Sequence, residues 1–318
     1  MVFADSAPGG KPREIAIAPA ESKHLGWFVV LLPFALLTFA LAVLWWRGER
    51  RTGPAAWTWL VLLASAVAAG WFHGILQPVA LPGLALFALA AFGVFRPPAD
   101  RRVRLLAHVA FVGLAAALMT HQWPGFANPR VIHARLFTPD ALPFRLHLNF
   151  DKACLGLLIL ALGARLLGAW SEFGGMLRRL WPVALGTVAV LMALALVSGY
   201  VRFAPKLPPE TALWLWANLC FTCVAEEALF RGYLQNRLAA AWQNRSYGPA
   251  AALVVAAVAF GLAHAGGGLA YVALSTLAGL GYGWAYLRTG RIEAAILAHF
   301  ALNAVHFLGF TYPALARN

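Results

Sequence analysis

The chain has 318 residues, of which 61% are hydrophobic and only 12% carry a charged side chain. A soluble domain has about 25% charged residues, so this composition excludes an ordinary water-soluble protein and indicates a membrane protein. The net charge of +13 would suggest nucleic acid binding in a soluble chain, but the basic residues here lie in short connections between apolar runs. That placement favours anionic membrane lipid as the partner and no nucleic acid.

The apolar runs predict an all-α, polytopic bundle of transmembrane helices with about eight to ten spans. We expect a disordered tail at 1–25, N-terminal membrane helices over 26–200, and a second unit of membrane helices over 201–318. A small excess of Lys and Arg in alternate connections would place the N-terminus outside the cytoplasm. In chain order, the spans are predicted at 26–46, 57–76, 81–95, 105–120, 153–170, 180–201, 211–238, 250–264, 269–287 and 292–310.

One long polar connection, residues 121–152, interrupts this series and contains Pro124, Pro129, Pro139 and Pro143. About thirty structureless residues between membrane helices are uncommon, and such loops are often functional. The segment is therefore interpreted either as a plain connector or as a loop that contacts and gates substrate.

The stretch from Glu226 to Arg231 places two carboxylates and a guanidinium inside an apolar segment. Each such group costs about 2.5 to 3.5 kcal/mol at the centre of a membrane helix, so each requires a partner or a function. Glu227 precedes Arg231 by four residues, the favourable order for an ion pair on one helical face. Glu226 then lies on a different stripe, with Asn218 and Thr222, and has no partner along its own helix.

Later apolar segments carry further polar residues. His264 follows Phe260 by four positions, and His299 and Asn303 share one face of the last helix, with His306 one heptad beyond His299. Polar residues at membrane depth usually face the interior of the bundle, so we expect these side chains to converge with Glu226. Cys220 and Cys223 form a C-x-x-C pair that we interpret as small apolar fillers of a membrane helix.

The chemistry of this set favours attack of water on an amide. A carboxylate can take a proton from water with help from an imidazole, and His and Asn can donate hydrogen bonds to an oxyanion. The same Glu and two His residues could instead ligate Zn²⁺, although H-E-x-x-H is absent. A proton relay, a transporter or a non-enzymatic immunity protein with a buried Glu/His network is the other alternative.

The three motifs, Glu226-Glu227-x-x-x-Arg231, Phe260-x-x-x-His264 and His299-x-x-x-Asn303, occur in this order over residues 211–310. In this arrangement the chain resembles the CAAX protease and bacteriocin-processing family, which are intramembrane glutamic endopeptidases related to the type II prenyl-protein proteases. The segment Leu287-Arg288-Thr289-Gly290 is similar to the connection that usually precedes the last motif of that family.

The resemblance implies a multi-pass membrane protease, in a bacterial inner membrane, that cleaves a membrane-associated or C-terminally anchored protein or peptide without a cofactor. It implies that Glu226 activates water with the assistance of His264, and that His299 and Asn303 stabilise the oxyanion. Glu227, Arg231 and Phe260 would have structural or orienting roles.

Overall fold

The computed structural model describes residues 23–47 and 55–316. It is 72% helical with a single small sheet among these residues, so the expected all-α membrane bundle is confirmed. The predicted tail lies outside the described residues, except that its last three positions begin the first helix. The helices are α1 (Lys23–Arg47), α2 (Ala55–Phe72), α3 (Ala80–Phe95), α4 (Arg101–Met119), α5 (Phe150–Gly163), α6 (Trp170–Val197), α7 (Thr211–Ala241), α8 (Gly248–Leu262), α9 (Leu269–Thr289) and α10 (Ile292–Gly309).

Each predicted span corresponds to one of these helices, and the chain is an integral membrane protein. Five described helices are long and apolar enough to cross a membrane: α1, α4, α6, α7 and α10. Helices α2, α3 and α8 are apolar but shorter. Large apolar side chains point away from the bundle, for example Leu89 at 69% and Val109 at 62% exposure. A belt of this kind suits contact with lipid and would be unusual on a soluble monomer.

Local sequence explains where several helices begin and end. The carboxylate of Asp100 accepts hydrogen bonds from the backbone N–H groups of Arg102 and Val103, which caps the first turn of α4. Gly290 has φ of 66°, the left-handed conformation that ends α9 at low steric cost. The Leu-Arg-Thr-Gly segment is therefore a helix C-terminus followed by the start of α10.

The interpretation of residues 121–152 as a structureless connection was wrong. Strands β1 (Arg130–Arg135) and β2 (Phe144–His147) form an antiparallel hairpin, and α5 already begins at Phe150. Phe144 and Leu146 face inward and Arg145 outward, the period-two pattern of a half-buried strand. An alternation of only four residues is too short to predict a strand in a segment with prolines on both sides of it.

The hairpin is held against the bundle at both of its sides. Phe137 packs edge-on against Phe307 of α10 with ring centroids 5.1 Å apart. At the start of α5 the buried carboxylate of Asp151 lies 2.6 Å from Nδ1 of His121 and accepts a hydrogen bond from Asn128. The hairpin therefore covers one end of the bundle, and its gating of substrate stays a prediction.

Helix α7 lies between two packed groups of helices. On one side it contacts α5, where a Cβ on Gly156 would come within 2.8 Å of the Cα of Ala225. On the other side it contacts α8, α9 and α10. Because the two helix backbones approach so closely at Gly156, Ala225 is held against α5, and Glu226 follows it directly in the chain.

Candidate active site

Helix α7 is continuous but changes its winding twice. Residues Asn218–Cys223 and Ala228–Gln235 are π-helical, and the α-helical turn Val224–Glu227 lies between them. Glu226 and Glu227 thus stand on a short regular turn flanked by wide turns, and both are buried. Wide turns of this kind occur frequently at functional sites in helical proteins.

The predicted pair of Glu227 and Arg231 is confirmed. Nη1 of Arg231 donates to the Glu227 carboxylate at 3.0 Å, and its Nη2 donates to the backbone carbonyl of Gly279 at 2.8 Å. The guanidinium carbon also lies 4.8 Å from the ring centre of Phe260 and 5.5 Å from that of Tyr282. Arg231 has no solvent exposure, so these contacts together hold a fully buried cation.

Glu226 faces His264 from a neighbouring helix. Oε2 of Glu226 lies 3.9 Å from Nε2 of His264 and has no hydrogen-bond partner among the described residues. This separation is too long for a direct hydrogen bond. Nδ1 of His264 lies 2.7 Å from the carbonyl oxygen of Phe260, so the neutral ring donates from Nδ1 and presents the lone pair of Nε2 to Glu226. Phe260 therefore orients the imidazole.

His299 has a partner that sequence reasoning did not assign to it. Its Nδ1 lies 2.8 Å from Oε1 of Glu227, so this carboxylate serves both His299 and Arg231. The imidazole stacks on Tyr282, with centroids 4.5 Å apart and planes 13° apart. Its Nε2 is buried without a hydrogen-bond partner in the described part of the chain. Glu227 is the residue that fixes the orientation of this ring.

Asn303 contacts two residues of the first π-helical segment. Its Nδ2 donates to Oδ1 of Asn218 at 3.2 Å and lies 3.8 Å from Sγ of Cys223. The thiol of Cys223 also donates to Oδ1 of Asn218, at 3.3 Å. All three cysteines are buried and unbridged, as the filler interpretation expected, but Cys223 has this additional polar role. From the sequence, Asn218 is only a polar residue on the same stripe as Glu226, and its contacts with Asn303 and Cys223 are not predicted.

A narrow cavity of about 20 Å³ brings the later motifs together, and His264, His299, Asn303 and His306 all line it. This volume is sufficient for about one water molecule. Residues of α6 form one wall, a contribution that the sequence did not predict. The other lining residues are Leu191, Met192, Ala195, Phe260, Leu274, Ser275, Ala278, Tyr282 and Leu302.

The residues do not fit the zinc alternative well. Among the described residues, no three His, Cys, Asp or Glu side chains form a potential metal-ligand group. Glu226 and His264 approach each other as a pair, whereas His299 turns its Nδ1 toward Glu227. His306 lies deeper in the wall, with Nε2 at 3.2 Å from the carbonyl oxygen of Thr311.

One part of the chain is similar to a known protein family. Residues 208–305 match the family model described as type II CAAX prenyl endopeptidase Rce1-like. The matched range contains Glu226, His264, His299 and Asn303. The curated proteins gave no match, and neither did the solved structures. Over residues 208–305 the chain is thus similar to the Rce1-like type II CAAX prenyl endopeptidases, and this similarity supports an integral membrane protease that acts on a protein or peptide.

Proposed function

We propose that the chain hydrolyses a peptide bond of a membrane-associated or C-terminally anchored protein, using water that Glu226 activates. The observation that carries this proposal is the approach of the Glu226 carboxylate to Nε2 of His264 at 3.9 Å. Both groups accept hydrogen bonds in the tautomer that Phe260 sets. A water molecule that donates one hydrogen to each would lie about 2.8 Å from both acceptors.

In this mechanism Glu226 takes a proton from the water as the water oxygen attacks the carbonyl carbon of the scissile bond. The carbonyl π-bond opens and leaves a negative charge on its oxygen. When the C–N bond breaks, the protonated Glu226 returns the proton to the leaving amine. General acid–base catalysis of this kind contributes about 10²- to 10⁴-fold to the rate.

Asn303 and His299 are assigned to the oxyanion. The Asn303 amide lines the cavity, and Nδ2 is its donor atom. His299 can donate from Nε2 when that nitrogen carries the proton, and the contact of its Nδ1 with Glu227 holds the ring in position. The two adjacent carboxylates therefore have different roles: Glu226 acts on water, and Glu227 positions His299 and neutralises Arg231.

The test is cleavage of model peptides by the purified full chain, comparing wild type with Glu226→Gln. We expect the substitution to reduce cleavage by at least about 10²-fold. Glu172→Gln is the matched control, since Glu172 forms an exposed ion pair with Arg291 away from the site. Full activity in Glu226→Gln would refute the mechanism. Cleavage that a chelator abolishes would favour the zinc alternative, and failure to cleave any peptide would favour a transport or immunity role.

A further inference from the structure

The connections between helices lie at two opposite ends of the bundle. The first, here called the hairpin end, comprises residues 73–79, 120–149, 198–210, 263–268 and 310–316. Its segments are joined by backbone hydrogen bonds, from the Lys206 N–H to the Leu308 carbonyl at 2.8 Å and from the Leu142 N–H to the Ala314 carbonyl at 2.9 Å. These bonds establish that the hairpin and the C-terminus of α10 share one face.

The second, here called the arginine end, comprises residues 96–104, 164–179, 237–247 and 288–291. Arg237 donates to the carbonyl of Val94 at 2.7 Å, which joins the end of α7 to the end of α3. The N–H of Leu167 donates to Glu293 at 2.7 Å, which joins the region after α5 to the start of α10. Since α9 ends at Thr289, its first residue, Leu269, and the preceding loop lie at the hairpin end.

Basic residues are distributed unequally between the two ends. Among the described residues, eleven arginines lie within 96–104, 165–179, 237–245 and 288–291 of the arginine end. The hairpin end has five Lys or Arg, within 130–145 and 202–206, and Lys152 lies beside it in the first turn of α5. Helix α1 carries one basic residue at each of its ends, and Arg231 is buried between the two ends of the bundle. Cytoplasmic connections carry an excess of Lys and Arg in membrane proteins, and all of these connections are short enough for the rule to apply. This excess favours the arginine end as the cytoplasmic one.

The cavity lies in the half of the bundle near the hairpin end. His264 lies two residues beyond the end of α8, and His306 and Asn303 lie three and six residues before the end of α10. At 1.5 Å per residue, His306 and Asn303 lie about 5 and 9 Å along the helix from the end of α10. Asn303 lies about 16 Å from the start of α10, which is at the arginine end. The loop that follows His264 is exposed at Gly266 and Gly268.

We infer that the active site opens to the non-cytoplasmic face of the membrane. Its substrate is a peptide segment on that face, part of a secreted or membrane-anchored polypeptide that has already crossed the bilayer. The statement about substrate rests on the proposed function, whereas the orientation rests on charge and geometry alone.

The orientation is tested with a membrane-impermeant maleimide on intact cells that express the full chain. The wild type is the background control, because Cys154, Cys220 and Cys223 are buried. Gly266→Cys places a thiol at the hairpin end, where an added Cβ meets no atom within 4 Å, and Ala99→Cys places one at the exposed arginine end. We expect labelling of Gly266→Cys in intact cells and labelling of Ala99→Cys only after permeabilisation. The reverse pattern, or equal labelling of both, would overturn the inference.

A second experiment separates the inference from the proposed function. Sealed vesicles containing the chain, with orientation assigned by the same two cysteines, are supplied with a model peptide from outside. We expect cleavage in vesicles whose hairpin end faces outward. We expect no cleavage in the same vesicles when they contain the Glu226→Gln variant. Cleavage only where the arginine end faces outward would overturn the inference and leave the proposed function standing. If the peptide is cleaved neither in vesicles nor in detergent, the proposed function is refuted, and with it the inferred substrate. The labelling experiment would still report the orientation.

Discussion

Cys223 and Asn218 are five residues apart on α7, yet the Cys223 thiol donates to Oδ1 of Asn218 at 3.3 Å. Regular α-helical winding turns about 100° per residue, so positions five apart would point away from each other. The π-helical turn Asn218–Cys223 closes over five residues and aligns them. Asn303 donates to the same oxygen, so one acceptor holds donors from two helices.

This arrangement predicts that Asn218 positions Asn303. In Asn218→Leu the amide of Asn303 loses this acceptor, and we expect kcat to fall by about tenfold, less than on removal of the donor itself, with KM unchanged. Removal of an oxyanion donor itself costs about 10²- to 10³-fold in kcat, which is the expectation for Asn303→Leu. Steady-state peptide cleavage measures both variants.

The Cys223 thiol offers a matched pair of controls for this prediction. Cys223→Ser retains a donor to Asn218 and should keep nearly full activity, whereas Cys223→Ala should lose part of it. A purely structural role for Asn218 would instead lower thermal stability and leave kcat of the folded fraction unchanged.

The two adjacent glutamates should respond differently to the same substitution. Glu227→Gln leaves the fully buried guanidinium of Arg231 without its carboxylate, and breaking a buried ion pair costs about 3–5 kcal/mol. Glu226→Gln removes no ion pair with an arginine or lysine, so its thermal stability should match that of the wild type. Thermal unfolding in detergent compares them, and equal destabilisation of the two variants would contradict the assigned roles.

Gly279 should be sensitive to the smallest possible side chain. A Cβ at this position would lie 3.0 Å from the Cα of Ala257 and 3.2 Å from Nη2 of Arg231. We expect Gly279→Ala to destabilise the protein by about 1–3 kcal/mol, the range for overpacking a core. Gly113→Ala in α4 is the control, because its Cβ would meet no atom within 4 Å. A harmless Gly279→Ala would show that α8 and α9 can separate at no cost.

The connection before α7 should give a pH-dependent contribution to stability. Burial lowers the pKa of Lys206 from its usual value to about 8, and the ammonium group donates to the carbonyl of Phe310. Above that pH the folded state releases a proton that the unfolded state keeps until about pH 10.4, so the free energy of unfolding rises with pH in this window. Unfolding temperatures at about pH 7 and about pH 9.5 should therefore increase more in wild type than in Lys206→Met. Identical increases would contradict the assignment.

The sequence determined by itself the features that depend on neighbours along one helix. The spans follow from uninterrupted apolar runs, which a bilayer requires to be helical. The Glu227–Arg231 pair follows from i,i+4 spacing. The two side chains still meet although the helix is π-helical from Ala228, because both are long and flexible. Likewise, His264 reaches the carbonyl of Phe260 within its own turn. The strands of the hairpin were not predicted because they are only six and four residues long and lie in a polar segment with four prolines around them.

Only the tertiary structure decided which polar groups meet. Glu226 approaches His264, Glu227 contacts His299, and Asn303 donates to Asn218, and in each case the two residues are distant in the sequence. The π-helical turns of α7 change which of its residues lie on the same side of the helix. The stripe of Asn218, Thr222 and Glu226, which assumes regular α-helical winding, therefore could not indicate these partners. The wall supplied by α6 depends on how whole helices pack, a property that no local spacing encodes.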